Sequence, residues 1–265
     1  EIKKIRLLNE TLSRKKIEGS VFKQIQLKYR RAKKRLLILD YDGTLCAFKS
    51  NPEDAFPTSE LMEILKQLCG DKNNKVVISS GRDHQTLDRW FGSLPIDLAA
   101  EHGAFYKEEG VWHENVQADQ WNDEIRSILQ SFIDKTPHSK LEEKETALVW
   151  HYRNVDAWLG DLREQQLVNA LIAPCARQHL QIMRGDKIVE IKSPLYTKGS
   201  EARRILQNDK FGFILAMGDD ITDEDTFREL PGNAFTIKIG IISEVARFSL
   251  LSQSEALPFL KRLIS

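Results

Sequence analysis

The sequence predicts an α/β protein built on a largely parallel sheet, with an α+β block inserted into it. Three observations carry this. Short apolar runs alternate with helix-periodic segments, the pattern of strands joined by crossover helices. Several of those runs end abruptly in acids or in Ser-Gly, at the carboxyl edge where open α/β sheets place ligands. From about residue 117 to 194 the alternation gives way to a mixed pattern with few chemistry-bearing residues. The expected organisation is a basic helical arm (1–34), a first core part (35–116), the inserted block (117–194) and a second core part (195–265).

In chain order, Ile5, Leu8 and Leu12 recur at helical spacing. Gly19-Ser20 then interrupts, with Ser20 read as an N-cap. Phe22, Ile25 and Tyr29 continue a second apolar face, so the arm is expected to be two helices. Leu36–Leu39 is a buried strand ending in Asp40-Tyr41-Asp42-Gly43-Thr44. Side chains at i and i+2 point the same way on an extended chain, so both carboxylates project together, and Gly43 allows a sharp exit. After a loop marked by Pro52 and Pro57 come a helix face (Leu61, Ile64, Leu65, Leu68) and a second strand, Val76–Ile78, closed by Ser79-Ser80-Gly81-Arg82. A helix over Thr86–Trp90, a strand at Asp97–Ala100, Glu101-His102-Gly103 and a hairpin around Glu109-Gly110 follow.

In the inserted block, Trp121, Ile125, Ile128, Leu129 and Phe132 suggest a helix, Thr146–Tyr152 a strand and Leu162–Leu171 a second helix. Leu180–Met183 and Ile188–Ile191 read as strands around the turn at Gly185-Asp186. The core resumes at Lys198-Gly199, a helix over Glu201–Leu206, and a strand over Phe211–Met217 that runs into Gly218-Asp219-Asp220-Ile221-Thr222-Asp223. A strand at Ala234–Ile239 is expected to be the last, before a terminal helix from Pro258.

The chain has 265 residues and no net charge, yet residues 1–35 hold thirteen Lys/Arg against three Asp/Glu. Such an arm suits nucleic acid, anionic lipid or the acidic remainder of the chain. It lacks the interleaved aromatics of single-strand binders, so a nucleic-acid partner is not expected. No apolar run is long enough for a bilayer, and no membrane partner is expected. Three cysteines without metal spacing suit a reducing compartment, the cytoplasm. The chain begins with Glu1, which suggests a piece of a longer protein.

An acidic run alone reads as a solvated helix start, where acids favour the positive end of the dipole. Behind a buried strand, Gly-Asp-Asp-Ile-Thr-Asp reads instead as a cation site. It is not an EF-hand loop, because Ile221 occupies a ligand position. Ser80 and Gly81 at a strand–helix junction make an anion site, to which Arg82 adds a guanidinium.

The stretch Asp40-Tyr-Asp-Gly-Thr44 resembles the nucleophile loop of haloacid dehalogenase-like phosphatases. The resemblance implies a Rossmann-like core with an inserted cap. It also implies attack on phosphorus by Asp40, proton transfer by Asp42, and Lys198 paired with nucleophile and phosphate. A hard oxygen cage from Asp40, Asp219 and the backbone carbonyl of Asp42, with Asp220 and Asp223 close by, suits Mg²⁺. Further motifs occur in order: Glu101-His102-Gly103, Trp150-His151-Tyr152-Arg153, Gly185-x-Lys187-x-x-Glu190 and Gly218-Asp-Asp-Ile-Thr-Asp-Glu-Asp-x-Phe227. With them the chain, from about Arg35 onward, is similar to the trehalose-6-phosphate phosphatases. That family implies a sugar phosphate substrate, fusion to or association with a trehalose-phosphate synthase, and sugar contacts from Lys187 and Glu190, joined by Glu101, His102 and Arg153. Where the family has Glu-x-Arg-Pro, this chain has Glu190-Ile-Lys192-Ser-Pro194, so Lys192 keeps the charge without the planar fork. Phosphomannomutases and sucrose-phosphate phosphatases share the nucleophile motif and a similar inserted block. An idle regulatory module fused to a synthase is a further alternative.

Overall fold

The computed structural model describes residues 15–49, 51–115, 123–240 and 243–265. They divide into two compact units, one comprising the described residues through Glu114 together with Thr197–Ser265, the other Asn115–Tyr196. The first helix expected in the arm, and Trp121, lie outside the described residues.

The larger unit is organised by β1 (Arg35–Asp40), buried along its whole length. Its neighbours are β2 (Asn74–Ser79) and β10 (Phe213–Gly218), both parallel to it. The eight-stranded sheet has the order β12-β11-β10-β1-β2-β3-β4-β5. Here β3 is Asp97–Ala100, β4 Phe105–Glu108, β5 Val111–Glu114, β11 Phe235–Ile239 and β12 Phe248–Leu250. Only β4 runs against the rest, antiparallel to β3 on one side and, through the hairpin at Glu109-Gly110, to β5 on the other. Between β1 and β10 the chain changes the side on which it adds strands, which is the topological switch point of a doubly wound sheet. Register then sets the site: Asp40 pairs with Ser79, and Leu39 with Met217, so the ends of β1, β2 and β10 finish level.

Helices α1 (Gly19–Arg31), α2 (Ser59–Gly70), α3 (His84–Phe91), α6 (Lys198–Asn208), α7 (Ile221–Glu229) and α8 (Ala256–Ile264) complete this unit. Side-chain caps at Thr58, Asp83, Thr197 and Asp220 start four of them. Helix α1 differs from the expectation: Ser20 lies inside it, and Glu18 at the N-cap makes no side-chain cap bond. Its apolar stripe, Phe22, Ile25 and Tyr29, is buried. Phe22 meets Phe259 edge-on at 5.5 Å and Tyr29 meets Phe213 at 5.4 Å. The apolar face of this part of the arm therefore packs on its own protein.

In the smaller unit, β6 (Lys140–Glu143), β7 (Ala147–His151), β8 (Gln181–Gly185) and β9 (Ile188–Lys192) form an antiparallel sheet ordered β6-β7-β9-β8. One face packs Leu148, Trp150, Val189 and Ile191 with Ile125 and Leu129 of α4 (Asp123–Asp134) and Leu167 and Leu171 of α5 (Ala157–Arg177). By strand alternation Glu190 and Lys192 lie on the other face, and both are buried.

Strands β6 and β12 and helix α7 were not expected. Lys-Leu-Glu-Glu is an edge strand without an apolar alternation, and β12 has three residues, too few for a period to emerge. None of the described helices is long and apolar enough to cross a membrane.

Candidate active site

At the level ends of β1 and β10, four side chains from three segments meet: Asp40, Lys198, Asp219 and Asp223. Lys198, the first residue of α6, donates from Nζ to Asp40 Oδ1 at 2.6 Å and to Asp223 Oδ1 at 2.8 Å. All three side chains are almost wholly buried. Burial alone would push the lysine's pKa down. The carboxylates of Asp223 and Asp40 overcome it and hold the ammonium well above the usual lysine value.

The carboxylates outnumber their cation. Among the described residues, Asp40, Asp219 and Asp223 bring one oxygen each within 4.8 Å of one another. Burial, then the Asp223 and Asp219 charges, push Asp40 well above the carboxylate range, against the pull of Lys198. Burial and the neighbouring Asp223 and Asp220 push Asp219 up to about 6. Asp40 Oδ2 is buried and accepts no hydrogen bond. An excess of buried negative charge with an open, hard oxygen is what a divalent cation satisfies, so the residues fit such an ion.

Two glycines make room for this crowding. A Cβ on Gly43 would stand 2.2 Å from Asp219 Oδ2, and one on Gly218 would stand 2.1 Å from Asp223 Cγ. Gly43 also sits at φ 80°, in the left-handed region. Thr44 Oγ1 donates to Asp219 Oδ1 at 3.4 Å, a weak tie across the cradle.

Two expected ligands do other work with their side chains. The Asp220 carboxylate caps α7, accepting from the Thr222 backbone N–H and, at 2.7 Å, from its hydroxyl. The Asp42 carboxylate is turned to Arg82, which donates from Nε and Nη2 at 2.7 Å each. Arg82, read from sequence as a contact for the anion, is thus paired within the protein. Asp223 is more central than expected: it holds Lys198 and also accepts from the Asp220 backbone N–H at 3.1 Å. The acid three residues into a helix is a capping-box signal, and this one was readable as such.

Ser80 closes β2 with its hydroxyl accepting from the Arg82 N–H at 3.2 Å. The turn Glu101-His102-Gly103 is stitched to this loop by Glu101 N–H to Arg82 O (3.0 Å) and His102 N–H to Ser80 O (3.1 Å). Glu101 and His102 adopt φ of 46° and 59°, a strained pair ahead of Gly103 at 96°. Both side chains are buried in the larger unit.

The other expected sugar contacts lie in the smaller unit. Lys187, at φ 60° in the β8–β9 turn, pairs with Asp161 at 2.7 Å and lies over the Tyr152 ring. Arg153 donates to both the carbonyl and the carboxylate of Asp186, at 2.8 and 2.9 Å. Glu190 and Lys192 lie two residues apart on β9. His151 pairs with Glu142 at 2.7 Å, a satisfied imidazole rather than a metal ligand.

With this geometry in view, comparison with known proteins is direct. The family model described as trehalose-phosphatase matches residues 38–259. An alpha,alpha-trehalose-phosphate synthase [UDP-forming] B of Dictyostelium discoideum is 39% identical over 268 residues, covering 97% of this chain and 34% of that protein. A bifunctional trehalose-6-phosphate synthase/phosphatase of Thermoproteus tenax is 38% identical, covering 83% of this chain and 30% of that protein. The chain thus spans about a third of the length of these relatives. The solved C-terminal domain of a Candida albicans trehalose-6-phosphate phosphatase superposes with a TM-score of 0.85 at 28% identity, covering 92% of this chain and 96% of that one. The chain belongs to the trehalose-phosphatase family, and its fold is that of the haloacid dehalogenase-like hydrolases.

Proposed function

We propose that the chain hydrolyses trehalose 6-phosphate to trehalose and phosphate, the last step of trehalose biosynthesis, through an aspartyl-phosphate on Asp40. The observation that carries this is the Asp40 carboxylate: one oxygen held by Lys198, the other buried without a partner at the sheet's switch point. An oxygen so placed can attack phosphorus. As the Asp40 oxygen–phosphorus bond forms, the bond to the sugar oxygen breaks and that oxygen takes a proton from Asp42. Water then attacks the aspartyl-phosphate, giving its proton to Asp42 and releasing Asp40. Lys198 balances charge on the nucleophile, and Ser80 offers its hydroxyl to the phosphoryl oxygens. Asp40 and Asp219, backed by Asp223 and Asp220, would hold Mg²⁺, whose charge offsets that of the phosphoryl oxygens.

The smaller unit is assigned the role of cap, with Lys187, Glu190, Arg153 and Lys192 as its sugar-recognising residues; in the larger unit Glu101 and His102 are assigned to the sugar as well. The free cysteines, two of them buried, agree with a cytoplasmic enzyme. Synthases among the relatives support a trehalose-phosphate synthase on the same chain or beside it.

Phosphate release from a panel of sugar phosphates, with and without Mg²⁺, tests the reading. The expected result is Mg²⁺-dependent release with trehalose 6-phosphate the preferred ester. Sucrose 6-phosphate as the better substrate would overturn it. In the same assay Glu190→Ala is expected to lower kcat/KM for trehalose 6-phosphate by about 10–100-fold, the loss of a charged hydrogen bond, while a small aryl phosphate changes far less. Equal losses on both would remove Glu190 from sugar recognition.

Gly43→Ala should act through Asp219. The left-handed backbone costs about 1–2 kcal/mol with a Cβ, and Asp219 must swing off the position it now shares with Gly43. The Mg²⁺ concentration for half-maximal rate is then expected to rise by roughly 10–100-fold. An unchanged Mg²⁺ requirement would show that Asp219 does not depend on this cradle.

A further inference from the structure

We infer that Arg82 is a positioning residue for Asp42, not a ligand of the phosphoryl group; this rests on the proton-transfer role proposed above for Asp42. All three guanidinium nitrogens already donate. Nε and Nη2 form the fork on the two oxygens of Asp42 at 2.7 Å each, and Nη1 donates to the Pro52 carbonyl at 2.9 Å. The guanidinium carbon lies 4.6 Å from the centre of the Trp90 ring and 5.7 Å from that of Tyr41. Those rings are anchored in turn. Tyr41 and Trp90 meet at 5.4 Å, Phe91 and Phe56 pack against them, and the Tyr41 hydroxyl donates to the Ala55 carbonyl at 2.6 Å. The Arg82 backbone is held on both sides, its N–H on Ser80 Oγ and its carbonyl under the Glu101 N–H.

A planar cation gripped in this way can fix the plane of a carboxylate. Asp42 needs that, because the same group must meet the sugar oxygen in one half-reaction and the attacking water in the next. Either fork bond alone still orients it. The aromatic platform and the Pro52 carbonyl add a second consequence: the loop following the nucleophile, residues 51–55, is tied to the side chain that orients the proton donor.

The test exploits the leaving group. A sugar alkoxide departs only with a proton, whereas para-nitrophenolate leaves unaided. Arg82→Met, made in the whole chain and assayed with Mg²⁺, is expected to slow single-turnover release of the sugar from the sugar phosphate by about 100-fold or more, the usual range for lost acid–base catalysis. On para-nitrophenyl phosphate, single-turnover release of nitrophenolate should fall by less than about tenfold, because that step needs no proton, whereas the water step, common to both esters, slows alike; KM should move little for either ester. Arg82→Lys should recover part of the loss, since one fork bond can be remade. Thermal unfolding establishes that the variants are folded. If Arg82→Met is not, Trp90→Leu should show the same selectivity at smaller amplitude. KM rising together for both esters, or equal losses in single-turnover leaving-group release, would overturn the inference and return Arg82 to the phosphate. If the wild type prefers another sugar phosphate, the substrate proposal fails, and the comparison between Arg82 variants is read on that ester instead.

Discussion

Asp40→Asn is expected to abolish turnover of trehalose 6-phosphate, with a loss on the order of 10⁵-fold, the scale seen when a covalent nucleophile is removed. An amide cannot take the phosphoryl group, and among the described residues no other carboxylate oxygen is buried without a hydrogen-bond partner. The substitution should not unfold the protein. Lys198 keeps Asp223 at 2.8 Å, and the cluster loses one of its surplus negative charges. Burial and the Asp223 charge disfavour ionised Asp40, so without metal at neutral pH the Asn variant is expected to melt no lower than the wild type. Calorimetry of the two proteins without Mg²⁺ checks this. A melting temperature lowered by several degrees would mean that Asp40 serves chiefly as a structural partner for Lys198.

Lys198→Met is expected to do the opposite to stability. It leaves Asp40 and Asp223 buried with no cation between them, a loss of about 3–5 kcal/mol by comparison with other broken buried pairs. The loss should depend on pH, in a direction that can be worked out. A carboxyl whose folded pKa lies above its unfolded value of about 3.9 favours folding in acid, and that contribution fades as pH rises through the folded pKa. Asp219, at about 6, already behaves this way, and removing the lysine pushes its neighbours further in the same direction. The gap between wild type and Lys198→Met in urea unfolding should therefore be smallest near pH 5 and widen toward pH 8. A gap independent of pH would show that lysine packing, not charge, is what the variant lost. Activity should vanish in either case, since the nucleophile then lacks its counter-charge.

The central sheet could be read from the sequence because buried parallel strands are continuous apolar runs. Leu36–Leu39, Val76–Ile78 and Phe213–Met217 have no polar residue to confuse the period. Two of the three acidic contributors were readable for a related reason: Asp40 comes directly after such a run and Asp219 one glycine after another, where a strand has just left the core. Strand β6 was not readable, because an edge strand of Lys-Leu-Glu-Glu owes its form to pairing with β7. The partners of the carboxylates were harder still. Spacing places Asp42 beside Asp40 but says nothing of which cation it faces. That depends on β2 ending level with β1, which only the register reveals. Asp220 and Asp223 carried two readings at once, ion site and helix start, and their side chains show the helix start directly: one caps α7 and the other completes the box. Lys192 is buried on β9, a placement that its charge did not announce.

Mass spectrometry after a single turnover tests the account most directly. The protein is mixed with trehalose 6-phosphate and Mg²⁺, quenched in acid within the first turnover and reduced with borohydride, which converts an acyl-phosphate on aspartate to homoserine. The account predicts that conversion at position 40, and none in Asp40→Asn. Full turnover with position 40 unmodified, or conversion at another carboxylate, would contradict it.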